Sequence, residues 1–125
     1  MIKITDYMTK PVITVQADES IRQAAAKMDK NDIGSLVVVD NKAPVGIMTE
    51  RDIFRKAIAK KLDLDATKVE QIMTKDVKTV TEAATLLEVA SLMKQHTMRR
   101  IVVVDKKDEV VGIVTSKDLI DLLCN

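Results

Sequence analysis

"GIMTERDIFR", Gly46 to Arg55, and "GIVTSKDLID", Gly112 to Asp121, are one phrase written twice: Gly-Ile-x-Thr-x-x-Asp. Outward from it the likeness widens. Setting Met8 over Met73 aligns "YMTKPVITV" with "IMTKDVKTV", "SIRQAAAKM" with "TLLEVASLM", and "SLVVVD" with "RIVVVD". One extra residue in the second copy's turn, "KKDEV" against "NKAPV", then brings Gly46 onto Gly112. The correspondence runs from near Lys3 and Lys68 to near Ala57 and Leu123, with only a linker over 58–67 outside it. The 125 residues are therefore a tandem duplication, a first repeat over 1–61 and a second over 62–125.

Each repeat carries the same order of elements. Val12–Val15 and Val77–Val80 are short strand candidates. A helix follows with apolar residues at Ile21, Ala24, Ala25 and Met28, or at Leu86, Val89, Ala90 and Met93. Both sets have i, i+3, i+4, i+7 spacing, one stripe of a helix with 3.6-residue turns. Leu36–Val39 and Ile101–Val104 are aliphatic, β-branched-rich runs suited to strands buried on both faces. After a turn at 41–44 or 106–109, a last strand ends at Thr49 or Thr115 and runs into a terminal helix, Arg51–Lys61 or Lys117–Leu123. The fold class is α/β, two β-α-β-β-α repeats. A unit of about 55 residues buries too little surface to be secure alone. The expectation is two repeats packed about a pseudo-twofold axis, with equivalent residues lining a central cleft.

Composition narrows the class of function. The chain is 46% hydrophobic and 31% charged, as in a folded soluble domain. Twenty basic against nineteen acidic side chains leave no global field to draw nucleic acid or an anionic membrane. Tyr7 and Phe54 are the only aromatics, so base stacking has no platform, and the basic stretch "RKAIAKKL" (55–62) reads as a helix with a solvated basic face and a buried stripe of Phe54, Ala57, Ile58 and Leu62 with Ile53. No apolar run reaches the ~20 residues of a membrane span, and the opening residues lack a signal peptide's apolar core. The lone Cys124 requires no oxidising compartment, so a cytoplasmic location is expected. His96, past the end of the "SLMKQ" helix, is the only histidine, and three glycines form no phosphate loop. A triad or His-rich metal site is excluded, and the pattern points away from an enzyme and from any cofactor.

Thr-x-x-Asp at a strand-to-helix junction has two physical readings. In the first it is a capping box: the Thr hydroxyl accepts a free backbone N–H and the Asp reaches back to the N-cap amide. In the second, the same groups at a helix N-terminus grip a nucleotide, the carboxylate taking both vicinal hydroxyls of a ribose and the hydroxyl meeting a phosphate. Capping and binding are compatible, and the spacing alone leaves both open.

The doubled β-α-β-β-α unit, the two "MTK" openings, the "VVVD" strands and the two Gly-h-x-Thr-x-x-Asp endings resemble a tandem pair of CBS (cystathionine-β-synthase) domains over nearly the whole chain, and no additional catalytic or effector domain is expected. The resemblance implies a regulatory module binding adenosine derivatives (AMP, ADP, ATP or S-adenosylmethionine) between its halves and passing a conformational change to an effector protein. The family signature continues to an Arg three residues after the Asp. Arg55 meets it, whereas the second repeat has Asp121 there.

By resemblance, each cleft joins one repeat's Thr-x-x-Asp to the other's Met-Thr opening and to residues before its "VVVD" strand. The first cleft would comprise Thr49, Asp52, Thr74, Arg99, Arg100 and Lys117. The second would comprise Thr115, Asp118, Thr9, Ser35 and Arg51, beside Gly34. Arg99 and Arg100 bring guanidinium groups suited to a phosphate, whereas Gly34 and Ser35 bring no charge. A strand alternates faces, so the two arginines point the same way only if Arg99 belongs to the preceding turn. The first cleft is expected to hold a phosphate-bearing nucleotide. The second should bind more weakly, take a less charged nucleoside, or stay empty. The "IF..AI" and "LI.LL" faces of the terminal helices imply a homodimer by the same resemblance. The alternative is a constitutive dimeric interaction protein in which Thr-x-x-Asp only caps helices.

Overall fold

The computed structural model describes residues 3–124. They form two three-stranded sheets with helices, an α/β architecture of two β-α-β-β-α repeats. In the first repeat, β1 (Thr14–Gln16) leads through α1 (Ile21–Asn31) to β2 (Ser35–Asp40), which pairs parallel with β1 and antiparallel with β3 (Ala43–Thr49). Helix α2 follows, an α-helical turn over Glu50–Asp52 that widens into a π-helix over Ile53–Ile58. The second repeat matches it with β4 (Thr79–Thr81), α3 (Leu86–His96), β5 (Arg100–Val104), β6 (Val110–Thr115) and α4 (Ser116–Cys124).

The helices start where the sequence supplies caps. The Ser20 hydroxyl accepts from the Gln23 amide at 3.1 Å while Gln23 Oε1 accepts from the Ser20 amide at 2.8 Å, a reciprocal box at the start of α1. Thr85 caps α3 through the Glu88 amide at 3.2 Å. The turn after β2 is shorter than expected, because Ala43 and Pro44 already belong to β3 and only Asn41 and Lys42 remain outside the strands. Pro44 has no amide proton to donate; it fits because β3 is an edge strand and the ladder slips between Val38 and Val39. His96 also departs from expectation: it is the last residue of α3 rather than past its end, since the αL residue that stops the helix is Thr97.

The chain folds as two compact units whose borders do not follow the repeats. One unit spans 13–77; the other joins the residues before Ile13 to those from Lys78 onward. Each unit thus holds the body of one repeat and the opening of the other. The openings are anchored by 3₁₀ turns at equivalent positions, Ile4–Asp6 and Val69–Gln71, whose first residues are wholly buried. Val69 and Ile72 complete the core formed by Val15, Ile21, Ala24, Met28, Leu36, Val38 and Met48. Ile4 enters the other, with Val89, Met93, Ile101, Val103 and Val114. The alternate strand residues Val37, Val39, Val102 and Val104 are buried too, although they point away from these clusters. Both central strands are therefore covered on two faces, which accounts for their unbroken aliphatic composition.

The stripe expected on the basic helix needs correction. Only Ile53 and Ala57 are buried; Phe54 is 68% exposed, Ile58 51% and Leu62 39%. A helix lying over one core presents a single row to it. Phe54 and Ile58 form the adjoining row, Leu62 lies past the helix end at Ile58, and all three keep much of their surface open.

Candidate functional site

The phrase Gly-Ile-x-Thr-x-x-Asp builds a strand end, a helix start and a seat for the opposite repeat's opening. In the unit spanning 13–77, Thr49 ends β3 and caps α2. Its hydroxyl accepts from the Asp52 amide at 3.1 Å, and Asp52 Oδ2 accepts from the Thr49 amide at 3.0 Å. The same oxygen lies 3.1 Å from the Thr49 hydroxyl. Asp52 is 6% exposed, and its other oxygen receives two groups from farther along the chain. The Thr74 hydroxyl donates to Oδ1 at 3.2 Å, and the Lys56 ammonium stands 3.0 Å from it.

Thr74 is brought there by backbone. Its amide and carbonyl exchange hydrogen bonds with Ile47, each at 2.9 Å. This approach requires the glycine before Ile47: a Cβ on Gly46 would stand 2.6 Å from Met73 Sδ and 2.9 Å from the Thr74 carbonyl oxygen. Gly112 does the same in the other unit, where an added Cβ would overlap Met8. The Thr9 amide there donates to the Ile113 carbonyl at 2.8 Å.

The second constellation is sparser. Asp118 Oδ2 accepts from the Thr115 amide at 2.8 Å, and the Thr115 hydroxyl accepts from the Asp118 amide at 3.2 Å. Asp118 is half-buried, and among the described residues neither the Thr9 hydroxyl nor a cation reaches it. Where the first repeat has Lys56, the second has Leu122.

The remaining candidates fall as follows. Arg99 lies in the bend before β5, and its carbonyl accepts from the Ser116 amide at 2.8 Å. Arg100 opens β5 opposite Thr115, as Ser35 opens β2 opposite Thr49. Lys117 is exposed, 3.4 Å from Asp121. Arg51 and Arg55 line a groove of about 810 Å³ between α1 and α2, with Met28, Ile33, Phe54 and Ile58. That groove lies on the helical side of the sheet and does not include Thr49, Asp52 or Thr74. Among the described residues no cluster of three or more His, Cys, Asp or Glu could hold a metal, and no helix is long and apolar enough to cross a membrane.

Residue-level reading overlooked Lys56 and the seating role of Gly46 and Gly112. A lysine four residues after an aspartate on a helix is a recognisable ion-pair signal. That it would reach a buried carboxylate also holding Thr74 depends on the fold.

Two repeated α/β units, each with a Thr-x-x-Asp junction closed by the opposite repeat's opening, define a CBS-type module. The CBS domain model matches this chain twice, over residues 4–59 and 69–125, and the chain belongs to that family. It is 36% identical over 118 residues to an uncharacterised 17.7 kDa protein of Acidianus ambivalens, covering 94% of this chain and 70% of that one. The solved CBS domain pair of protein MJ0100, in complex with 5′-methylthioadenosine and S-adenosyl-L-methionine, superposes with a TM-score of 0.82 at 36% identity, covering 98% of this chain and 99% of that one. The chain is also 36% identical over 119 residues to inosine-5′-monophosphate dehydrogenase of Methanocaldococcus jannaschii, but covers only 23% of it, against 94% of this chain. In that enzyme the similar region is a minor part of a longer chain.

Proposed function

We propose that this CBS pair is a regulatory, non-catalytic module that binds an adenosine-containing ligand, with AMP, ADP, ATP and S-adenosylmethionine as the candidates. The observation that carries this reading is the convergence of Thr49, Asp52 and Thr74 from two repeats at one strand end, where a carboxylate can take a ribose diol. The likeness to a CBS pair in complex with two adenosine derivatives supports it. Arg99, Arg100 and Lys117 supply the positive charge for the phosphates of a nucleotide held by Asp52. Thr115 and Asp118, with Thr9, Ser35 and Arg51, form the weaker site. Ligand binding shifts the equilibrium between conformations of the pair by its difference in affinity for them, and an effector protein in the cytoplasm reads that shift. The module acts as a homodimer joined through its terminal helices, which carry the exposed Phe54, Ile58, Ile120 and Leu123.

A second reading has its own support. All the hydrogen bonds of a capping box are made at Thr49 and Asp52, so the motif has a structural use without any ligand. Thermal unfolding of the wild type and Asp52→Ala with AMP, ADP, ATP, S-adenosylmethionine and NAD separates the two. A ligand at ~100 times its dissociation constant adds ~2.7 kcal/mol to the stability of a protein that binds it. A raised midpoint that Asp52→Ala abolishes supports the sensor. No rise with any of them leaves a constitutive dimeric interaction protein.

A further inference from the structure

We propose that Lys56 sets the charge preference of the Asp52 grip, admitting a ribose readily only when the ligand also carries an anionic group. The inference rests on the reading of Asp52 as a ribose site. An ionised carboxylate offers about four acceptor positions. Those of Asp52 face the Thr49 amide, the Thr49 hydroxyl, the Thr74 hydroxyl and the Lys56 ammonium. A ribose diol brings two further donors, so it enters by displacing partners already there.

The partners differ in how readily they leave. The Thr49 amide is part of the backbone cap and moves only if the start of α2 unwinds. The threonine hydroxyls can rotate in place. Lys56 is the mobile charge: its side chain is 47% exposed and its ammonium also donates to the Ile72 carbonyl at 3.1 Å. An uncharged nucleoside that takes Oδ1 leaves this ammonium without its carboxylate. On this proposal a phosphate of a nucleotide that takes the same oxygen meets the freed ammonium, alongside the charge of Arg99, Arg100 and Lys117, and a charge-assisted contact is restored. At Asp118 the corresponding residue is Leu122, and a diol enters without displacing a cation. Lys56 thus distinguishes the two grips where Thr and Asp are common to both.

The test uses the 125-residue chain carrying Asp118→Ala, so that binding reports the Asp52 grip, with AMP and adenosine as probes in titration calorimetry. AMP should bind more tightly than adenosine. Lys56→Met should weaken AMP and strengthen adenosine, lowering the ratio of their affinities by about tenfold, the effect of one charge-assisted hydrogen bond. Lys56→Arg should restore the preference for AMP. Lys56→Gln gives a second neutral variant should the methionine fail to fold. Binding that Asp52→Ala abolishes but whose ratio is unchanged in either neutral variant overturns the role of Lys56 alone. If neither probe binds any variant, or if binding survives Asp52→Ala, the ribose grip falls and Lys56 with it.

Discussion

The Thr74 hydroxyl lies 3.2 Å from Asp52 Oδ1, although the two residues belong to different repeats. The contact exists because the second repeat's opening leaves its own sheet and docks on β3 of the first through Ile47. The docked segment reaches β4 five residues later, at Thr79. Thr74→Val keeps the shape and removes the hydroxyl. It should cost about 1 kcal/mol in urea unfolding, as one hydrogen bond to a charged acceptor at a partly exposed site. No loss at all would mean that the contact contributes nothing to the docking.

The seat at Gly46 makes a sharper claim. Gly46→Ala forces a methyl group against Met73 and the Thr74 carbonyl, and should destabilise by ~1–3 kcal/mol as an overpacked site. Adding Met73→Ala should recover only part of this, because the carbonyl, 2.9 Å from the added carbon, is backbone. Full recovery in the double variant would place the whole clash at the methionine.

Asp52 and Asp118 occupy equivalent positions but should respond unequally to removal. Asp52→Ala strips the Thr49 amide, Thr74 and Lys56 of their shared acceptor, and should cost ~2–3 kcal/mol. Asp118→Ala removes one arm of a half-exposed capping box and should cost ~1 kcal/mol. Chemical denaturation of both variants without ligand checks the order. Equal costs would show that the interior partners of Asp52 add nothing beyond the cap.

The outward row on α2 predicts a change in assembly with little change in fold. Phe54→Ser with Ile58→Ser alters side chains that are 68% and 51% exposed in the single chain. Sedimentation should find a dimer for the wild type and a monomer for the double variant, each with native circular dichroism. A wild type that sediments as a monomer, or a double variant that remains dimeric, would remove these helices as the interface.

Much of this was legible in the residues themselves. The duplication, the β-α-β-β-α order, the ends of β3 and β6 at Thr49 and Thr115 and the apolar stripe of α1 all rest on signals confined to a few neighbouring positions. Caps, alternation and helical periodicity act within about one turn or one strand, so a short window of sequence contains their causes. The pairing of Thr74 with Asp52 came from the family resemblance, since no local spacing links residues 22 apart.

Tertiary structure alone decided which side chains the fold covers. It turned Phe54 and Ile58 outward while burying Ile53 and Ala57 on the same helix. It set the openings of the repeats into opposite units, with Gly46 and Gly112 as their seats. It also carried Lys56 to a carboxylate that Thr74 already holds, a contact for which the second repeat, with Leu122 in that position, has no counterpart. The physical reason is that burial and long-range hydrogen bonding depend on what distant chain lies against a residue, and no neighbour in sequence encodes that.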